Sequence, residues 1–485
     1  MAPGRRTSSA ARDARAKRGE SANRPSSSTR TAAPRTGPIY KRLPHGPHRL
    51  ERNEVVLHQR ARIHGAMVEA IARHGYERTS VKQVIGLAGV SRRSFYEQFA
   101  NKEECFLTTF DLIVRRQLKQ VRSVYLGADG PLEERARAVF EQLAQVTTED
   151  RNATLLVVLE AQRAGPAGVM RLRRATGICE HMLARSFAES AGATALPMPI
   201  VRGIAGGLHG VASAFLRDGH TAGSVDLAGE MLRWTLLHQT SAAEDMAERL
   251  AAGMAARMRE ISSAHGNRLG GAEAPSRDER TRLLQGVLRL VTREDYRAVS
   301  APQIADEANV SIDTFCELFA DKHECFLAAL DMIGDELLAI AADPDLVSDE
   351  WRRAVRRVLA ELTRYLADRP MQARTLAHEA LFASDEALAH AVDLFHSIAT
   401  LLTEGAPVEP EGSLTTEAIA GAIWHTIRCQ VAAERIELLA ALSDHLSYLV
   451  LAPFLGADAA AEIVGEALEP ASASGACGQP APRSA

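Results

Sequence analysis

Apolar residues in the segment from 55 to 125 recur with the period of an α-helix. Ile63, Met67, Ala70 and Ile71 fall on one face, so they predict an amphipathic first helix. The helix should end at His74-Gly75, because glycine commonly follows the last helical turn.

Two shorter helices are predicted immediately afterwards. Ser80 precedes a short apolar run and is a good N-cap for a second helix, and Ser91 is equally suited to cap a third. Gly89, in the turn between them, can adopt a positive φ. Two short helices joined by a glycine-containing turn predict a helix-turn-helix at residues 80–99, whose second helix would enter a DNA major groove.

The chain also contains an internal repeat. Displaced by about 220 residues, the segment 61–111 aligns with 281–331, and 18 of 51 positions are identical. The similarity is weaker beyond these segments but persists, for example in Glu160-Ala161 and Glu379-Ala380. Each half therefore consists of a small N-terminal unit and a longer helical body.

Helical periodicity without strand-like alternation predicts an all-α protein. The linker and both termini are assigned from their content of Gly, Ala, Ser and Pro. We expect seven segments in chain order: a disordered basic arm at 1–50, a helix-turn-helix domain at 57–117, a helical body at 118–262, a linker at 263–276, a degenerate helix-turn-helix domain at 277–337, a second helical body at 338–468 and a disordered tail at 469–485.

Charge and composition narrow the possible functions. The net charge is −4, yet residues 1–50 hold 12 basic residues against only Asp13 and Glu20. This arm is either a solvated tail or a source of non-specific phosphate affinity. We expect no membrane span, since no apolar run approaches about 18 residues, and no secretory signal. The six widely spaced cysteines indicate neither a disulfide framework nor a metal site.

Enzymatic motifs are absent from the sequence. There is no Walker loop, no GxGxxG after a strand, no HExxH and no GxSxG. We therefore expect no catalytic residues, no cofactor and no metal. His181, His209 and Arg163 are polar candidates in the first body, but surface or satisfied core positions explain them better.

The third predicted helix carries side chains suited to DNA. Arg92, Arg93 and Ser94 lie in its first turn, which meets base edges, and arginine can bond guanine through two acceptors. Lys82 and Lys102 begin the neighbouring helices, where they could neutralise phosphates. The phenolic hydroxyl of Tyr96 could contact a phosphate as well.

These residues resemble a known family. The matching run is Gly75-Tyr76, Thr79-Ser80-Val81, Ala88-Gly89-Val90-Ser91, Phe95-Tyr96, Phe99 and Asn101-Lys102, which is similar to the TetR family of bacterial regulators. The resemblance implies a three-helix DNA-binding domain followed by a helical body for ligand binding and dimerisation. It also implies a bacterial, cytoplasmic protein at the nucleoid, a double-stranded DNA operator and an apolar small-molecule effector.

The resemblance also implies roles for individual residues. Those expected to meet bases or nearby phosphates are Lys82, Arg92, Arg93 and Ser94. Those expected to meet the DNA backbone are Ser80, Tyr96, Gln98 and Lys102. Gln98 stands where the family commonly has histidine, and it can still donate one hydrogen bond.

The second copy keeps the apolar framework and loses these side chains. The replacements are Pro302 for Lys82, Ile312 for Arg92, Asp313 for Arg93, Cys316 for Tyr96 and Leu318 for Gln98. Residues 301–331 hold seven acids and one base, against four and four in 81–111. Since phosphates repel acids, we expect the second unit to fold but to bind DNA poorly.

The sequence leaves two questions open. A fused pair of TetR-like units could be its own pseudo-dimer, or it could form a homodimer with a second chain. The best-supported function is a sequence-specific transcriptional regulator, and the resemblance implies that it is a repressor released by a small-molecule effector. The alternative is a ligand-binding or protein-interaction module with only non-specific DNA affinity, which would show steep salt dependence without a preferred sequence.

Overall fold

A computed structural model of the chain describes residues 52–128, 130–190, 196–217, 226–241, 243–265, 278–347, 350–410 and 412–464. All regular structure in these ranges is helical, which confirms the all-α prediction. The predicted arm at 1–50 and the tail at 469–485 lie outside the described residues.

The first half of the described chain, residues 52–265, begins with the predicted three-helix unit. Its α-helices are α1 (Arg52–Arg78), α2 (Val81–Ala88), α3 (Arg92–Tyr96), α4 (Lys102–Gly127), α5 (Leu132–Glu149), α6 (Arg151–Leu155), α7 (Pro166–Ser190), α8 (Met198–Arg217), α9 (Leu227–Leu236) and α10 (Ala243–His265). A π-helical turn at Leu156–Glu160 and a 3-10 turn at Gln162–Ala164 join α6 to α7.

The second half, residues 278–464, follows the same order at its start. Its α-helices are α11 (Glu279–Arg293), α12 (Ala301–Ala308), α13 (Ile312–Leu318), α14 (Lys322–Ala341), α15 (Pro344–Val347), α16 (Trp351–Asp368), α17 (Pro370–Arg374), α18 (Ala380–Ala383), α19 (Asp385–Thr403), α20 (Thr415–Ala432), α21 (Ser443–Leu455) and α22 (Ala457–Val464). A π-helical turn at Thr375–Glu379 precedes α18, and a 3-10 segment at Ile436–Leu442 precedes α21.

Helix limits qualify three of the predicted domain boundaries. The limits at 117 and 337 fall inside α4 and α14, so a continuous helix joins each N-terminal unit to its body. Residues 263–265 of the predicted linker belong to α10, and 266–276 lie outside the described residues.

Buried apolar side chains form two separate clusters. The smaller one joins α1 to α4 with the turn after α6 and part of α7, and Phe95, Phe99 and Phe106 lie within it. The larger one contains both bodies and also the second N-terminal unit, including Phe315 and Phe319. The first N-terminal unit therefore shares its core with residues 153–172 of the first body, whereas the second shares the larger core that contains most of both bodies.

The two bodies pack against each other along α8 and α20. A Cβ built on Gly421 would lie 2.5 Å from the carbonyl oxygen of Gly206 and 3.0 Å from Cα of Gly210. A Cβ on Gly210 would lie 2.3 Å from the carbonyl oxygen of Glu417. Only glycine allows two helix backbones to approach this closely.

One segment corrects the expectation that no apolar run is long enough to cross a membrane. Ile436–Leu455 spans 20 residues with a mean hydropathy of 1.5, which satisfies length and composition. In this fold 72% of it is buried, and α21 packs against α16 and α22 in the core. The apolar character of the segment is thus accounted for by its place in the protein interior.

Candidate DNA-binding site

Local hydrogen bonds shape the first helix-turn-helix as the sequence predicts. Ser80 caps α2 in a capping box, in which its Oγ accepts from the Gln83 backbone and its own backbone N–H donates to Gln83 Oε1. Gly89 ends the helix at φ 61°, in the left-handed region. Ser91 caps α3 by accepting from the backbone N–H of Ser94 at 3.0 Å.

The break in α1 also occurs where it was predicted. Gly75 interrupts the helix with φ 72° and ψ 167°, after which one further turn runs to Arg78. The backbone N–H of Tyr76, exposed by this break, donates to Glu160 Oε2 at 2.7 Å. The first body therefore holds the first N-terminal unit at this break.

The recognition helix α3 packs into the core through one side, and its other side is exposed to solvent. Phe95 and Phe99 are buried, while Arg92, Arg93 and Tyr96 are exposed, Tyr96 by 45%. An apolar pair on one face of so short a helix fixes its orientation, so the opposite face is available to a groove.

The exposed side chains of α3 are loosely restrained. The Arg92 guanidinium lies 5.6 Å from the centroid of the Tyr96 ring. Arg93 Nε donates to Glu97 Oε1 at 2.9 Å, and the Arg93 side chain is 89% exposed. Exposed ion pairs of this kind contribute little free energy, so DNA can replace Glu97 at small cost.

The remaining predicted contact residues border this face. Lys82 is exposed on α2. Ser94 Oγ lies 2.9 Å from Ser91 Oγ, and Ser80 Oγ donates to Gln83 Oε1 at 2.8 Å, so both hydroxyls already take part in caps. Gln98 is partly buried, and its Nε2 donates to the Ser94 carbonyl at 3.3 Å. The helices α2 and α3, which carry Lys82 and Ser94, pack against each other.

Lys102 has a structural contact that the sequence did not predict. Its Nζ donates to the carbonyls of Tyr76 at 2.9 Å and Glu77 at 3.4 Å, beyond the break in α1. The ammonium also lies 4.2 Å from the centroid of the Tyr76 ring. Burial lowers the pKa of Lys102 from its ordinary value.

The second unit repeats this contact, which suggests a matched pair of variants. Lys322 Nζ donates to the carbonyls of Tyr296, Arg297 and Val299. We expect Lys102→Met and Lys322→Met each to lower the unfolding free energy by about 1–2 kcal/mol, because each removes charged hydrogen bonds to carbonyls. Thermal unfolding measures this, and an unchanged melting temperature for Lys102→Met would contradict it.

The same two variants test whether Lys102 also contacts a phosphate. If it does, only Lys102→Met should reduce the slope of log affinity for DNA against log salt concentration, by about one.

An arginine side chain that the sequence did not point to stabilises the turn between α2 and α3. Arg62 on α1 donates through Nη2 to the carbonyls of Ala88 and Gly89. In the second unit Arg282 Nη1 donates to the carbonyl of Asn309 at 3.1 Å, and Asn309 has φ 52°. The signal was present, since arginine recurs at the same place in both copies, but its partner carbonyls are not visible in a sequence.

The surface of α13 differs from that of α3 although its frame is the same. Ile312 and Leu318 are exposed by 42% and 38%, and Asp313, Cys316 and Glu317 are exposed beside them. This apolar and acidic face offers no cation to a phosphate. The loss of contact chemistry predicted for the second copy is therefore present on the surface itself.

Of the three polar candidates of the first body, His181 is exposed on α7, whereas Arg163 and His209 lie at the contact between the halves. Arg163 pairs with Glu160 of its own half, and its Nε lies 2.5 Å from Asp385 Oδ1 of the second. His209 is partly buried on α8, and burial lowers its pKa to about 3, with Arg428 as a second cause. Neither arrangement defines an effector pocket.

A small cavity lies where α8 and α9 meet α20. Trp234, Leu237 and Leu414 line it, together with the Glu230–Arg233 ion pair at 3.1 Å. Its volume is about 10 Å³, which is room for about one water molecule.

Comparison with known proteins bears directly on this unit. Residues 64–109 match the family model of the bacterial regulatory proteins of the tetR family. No curated protein matches the chain.

Two solved structures also resemble parts of the chain. The fatty acid degradation regulator FadR from Bacillus halodurans is 21% identical, with a TM-score of 0.33, over 37% of this chain and 93% of that one. The transcriptional regulator FadR from Bacillus subtilis, in complex with stearoyl-CoA, is 17% identical, with a TM-score of 0.33, over 37% of this chain and 97% of that one. The match at residues 64–109 covers the helix-turn-helix, so the first N-terminal unit is a DNA-binding domain of the type found in the TetR family of bacterial regulatory proteins.

Proposed function

We propose that the chain is a sequence-specific transcriptional regulator that reads DNA through α3 of its first half. The observation that carries this is the exposed set of Arg92, Arg93 and Tyr96 on a helix anchored by buried Phe95 and Phe99. From the family resemblance we add that it acts as a repressor in the bacterial cytoplasm, and that a small apolar effector releases it from its operator.

The same proposal makes the chain an asymmetric pseudo-dimer of two TetR-like units. The close approach of α8 and α20 at Gly206 and Gly421 supports internal pairing, since it occupies the bodies with one another. The acidic and apolar surface of α13 supports a reading role for the first unit only.

The proposal predicts the effect of removing the base-reading side chains. Arg92→Ala or Arg93→Ala should weaken binding to the preferred site by about 1–3 kcal/mol if the residue is bidentate to guanine, and should relax selectivity at one position. Both residues are exposed, so the fold should be unaffected. Competition binding against selected and random duplexes measures both effects.

A matched control lies in the second unit. Ile312→Ala changes the position that corresponds to Arg92 and should leave affinity and selectivity unchanged. If neither arginine variant alters selectivity, α3 does not read bases. The alternative of a module with only non-specific DNA affinity would then be favoured.

A further inference from the structure

A cluster of three potential metal ligands lies between the two halves, away from the helix-turn-helix. Glu180 is on α7 of the first half, and His425 and Cys429 are on α20 of the second. Their ligand atoms all lie within 4.8 Å of one another. In sequence, Glu180 and His425 are 245 residues apart, so the cluster could not be predicted from spacing.

Two separations within the cluster approach those around a tetrahedral metal ion, and the third, between the ligand atoms of Glu180 and Cys429, is at most 4.8 Å. His425 Nε2 lies 3.0 Å from Glu180 Oε1 and 3.4 Å from Cys429 Sγ. With Zn–S near 2.3 Å and Zn–N and Zn–O near 2.0–2.2 Å, tetrahedral ligand atoms are about 3.3–3.6 Å apart. The ion therefore needs only small movements of these side chains.

Hydrogen bonding alone serves this cluster poorly. The same nitrogen of His425 faces both a carboxylate oxygen and a sulfur, and it has at most one hydrogen to donate. A cation at the centre would accept a lone pair from all three atoms.

The surrounding charges are compatible with a divalent ion. A carboxylate and a thiolate together neutralise it. Arg202 Nε lies 3.7 Å from the other oxygen of Glu180, and leaves Oε1 to the cluster. Arg428 is directed elsewhere, since its Nη1 donates to Gln162 Oε1 at 3.2 Å.

We propose that Glu180, His425 and Cys429 form a Zn²⁺ site that joins the two halves, with its fourth position open to water or another small ligand. Sulfur, imidazole and carboxylate together are the donor set of a borderline-soft ion with tetrahedral preference. Histidine and cysteine four residues apart on α20 face the same side of the helix, as a shared metal requires. The site would be independent of DNA binding.

The test uses the full chain, freed of metal by dialysis against a chelator and kept reduced. We expect one Zn²⁺ bound per chain, protection of Cys429 from alkylation as read by peptide mass spectrometry, and a higher melting temperature because the ion bridges the halves. Co²⁺ in place of Zn²⁺ should produce a sulfur-to-metal charge-transfer absorption. Unprotected Cys429 in the presence of Zn²⁺ would overturn the proposal, and this readout needs no variant to fold.

Variants identify the ligands. Cys429→Ser and Glu180→Gln should each weaken Zn²⁺ binding at least tenfold, since outer-shell partners alone contribute that much. Cys179→Ser and Cys316→Ser change exposed cysteines outside the cluster and should leave affinity unchanged. Equal affinity for wild type and Cys429→Ser, or loss of binding in the Cys179 or Cys316 variant instead, would show that the ion binds elsewhere.

Discussion

Replacing Gly421 by valine should lower the unfolding free energy by about 3 kcal/mol or more, near the upper end for overpacked sites. Its Cβ would meet the carbonyl oxygen of Gly206 at 2.5 Å and Cα of Gly210 at 3.0 Å. Both are backbone atoms, so no side-chain rotation relieves the clash. The helices α8 and α20 must separate, and the contact between the halves weakens.

A matched control is available on α7. A Cβ at Gly177 would have no heavy atom within 4 Å, and valine is a better helix former than glycine. Gly177→Val should therefore leave thermal unfolding unchanged or shift it slightly upward. Equal melting temperatures for the two variants would mean that α8 and α20 are not in close contact in solution.

Acidification should lower the unfolding free energy of the protein steeply. Burial lowers the pKa of His238 to about 3 and that of His445 to about 4. Burial, followed by the nearby Arg60 cation, lowers the pKa of His64 to about 4. In the unfolded chain all three return to about 6.5. Below pH 6.5 the unfolded state then binds protons that the folded state excludes, so stability is lost as the pH falls and is unaffected above about pH 7.5.

The expected size follows from the number of groups. Each histidine lowers the unfolding free energy by about 1.4 kcal/mol per pH unit, so these three contribute about 4 kcal/mol per unit near pH 5. His209, whose pKa burial also lowers, adds to this effect. Denaturant unfolding between pH 8 and pH 5 measures this. A midpoint that is constant over this range would contradict the burial of these rings.

His238 allows the effect to be assigned. It is fully buried between Trp234 and Tyr448, and among the described residues neither ring nitrogen has a hydrogen-bond partner. At pH 7.5 the unfolding free energy of His238→Leu should therefore be no lower than that of wild type. Between pH 7.5 and pH 5 it should fall by about 2 kcal/mol less than that of wild type. The exposed His396, changed to Gln, should leave the pH dependence as it is.

Much of the first unit was predictable because its signals are local. Ser80, Gly89 and Ser91 act within three or four residues of themselves, and each has the predicted cap or turn geometry. The repeat likewise pointed to a second unit with the same frame, and Ser300, Asn309 and Lys322 repeat the contacts of their counterparts. Local rules transfer from sequence to structure because few other contacts compete with them.

The long-range contacts were not predictable in the same way. The sequence could not identify α20 as the helix that packs closely against α8. Lys102 was interpreted from its helix position as a phosphate ligand, whereas its carbonyl contacts depend on the break at Gly75, 27 residues earlier. The contact roles of the eight predicted DNA-binding residues remain predictions, since a sequence pattern fixes their position and not their partners.

We expect one chain to carry one DNA-reading unit and to pair its two bodies internally. This can be measured by footprinting on genomically selected DNA, with the mass of the complex determined on the same sample. Operator symmetry mirrors protein symmetry, so one chain should protect a single, non-palindromic half-site. Two chains on an inverted repeat would instead indicate a homodimer with two first units. A single chain that protects a full palindrome, with Asp313→Ala weakening the binding, would show that the second unit also reads DNA and would exclude the asymmetric pseudo-dimer.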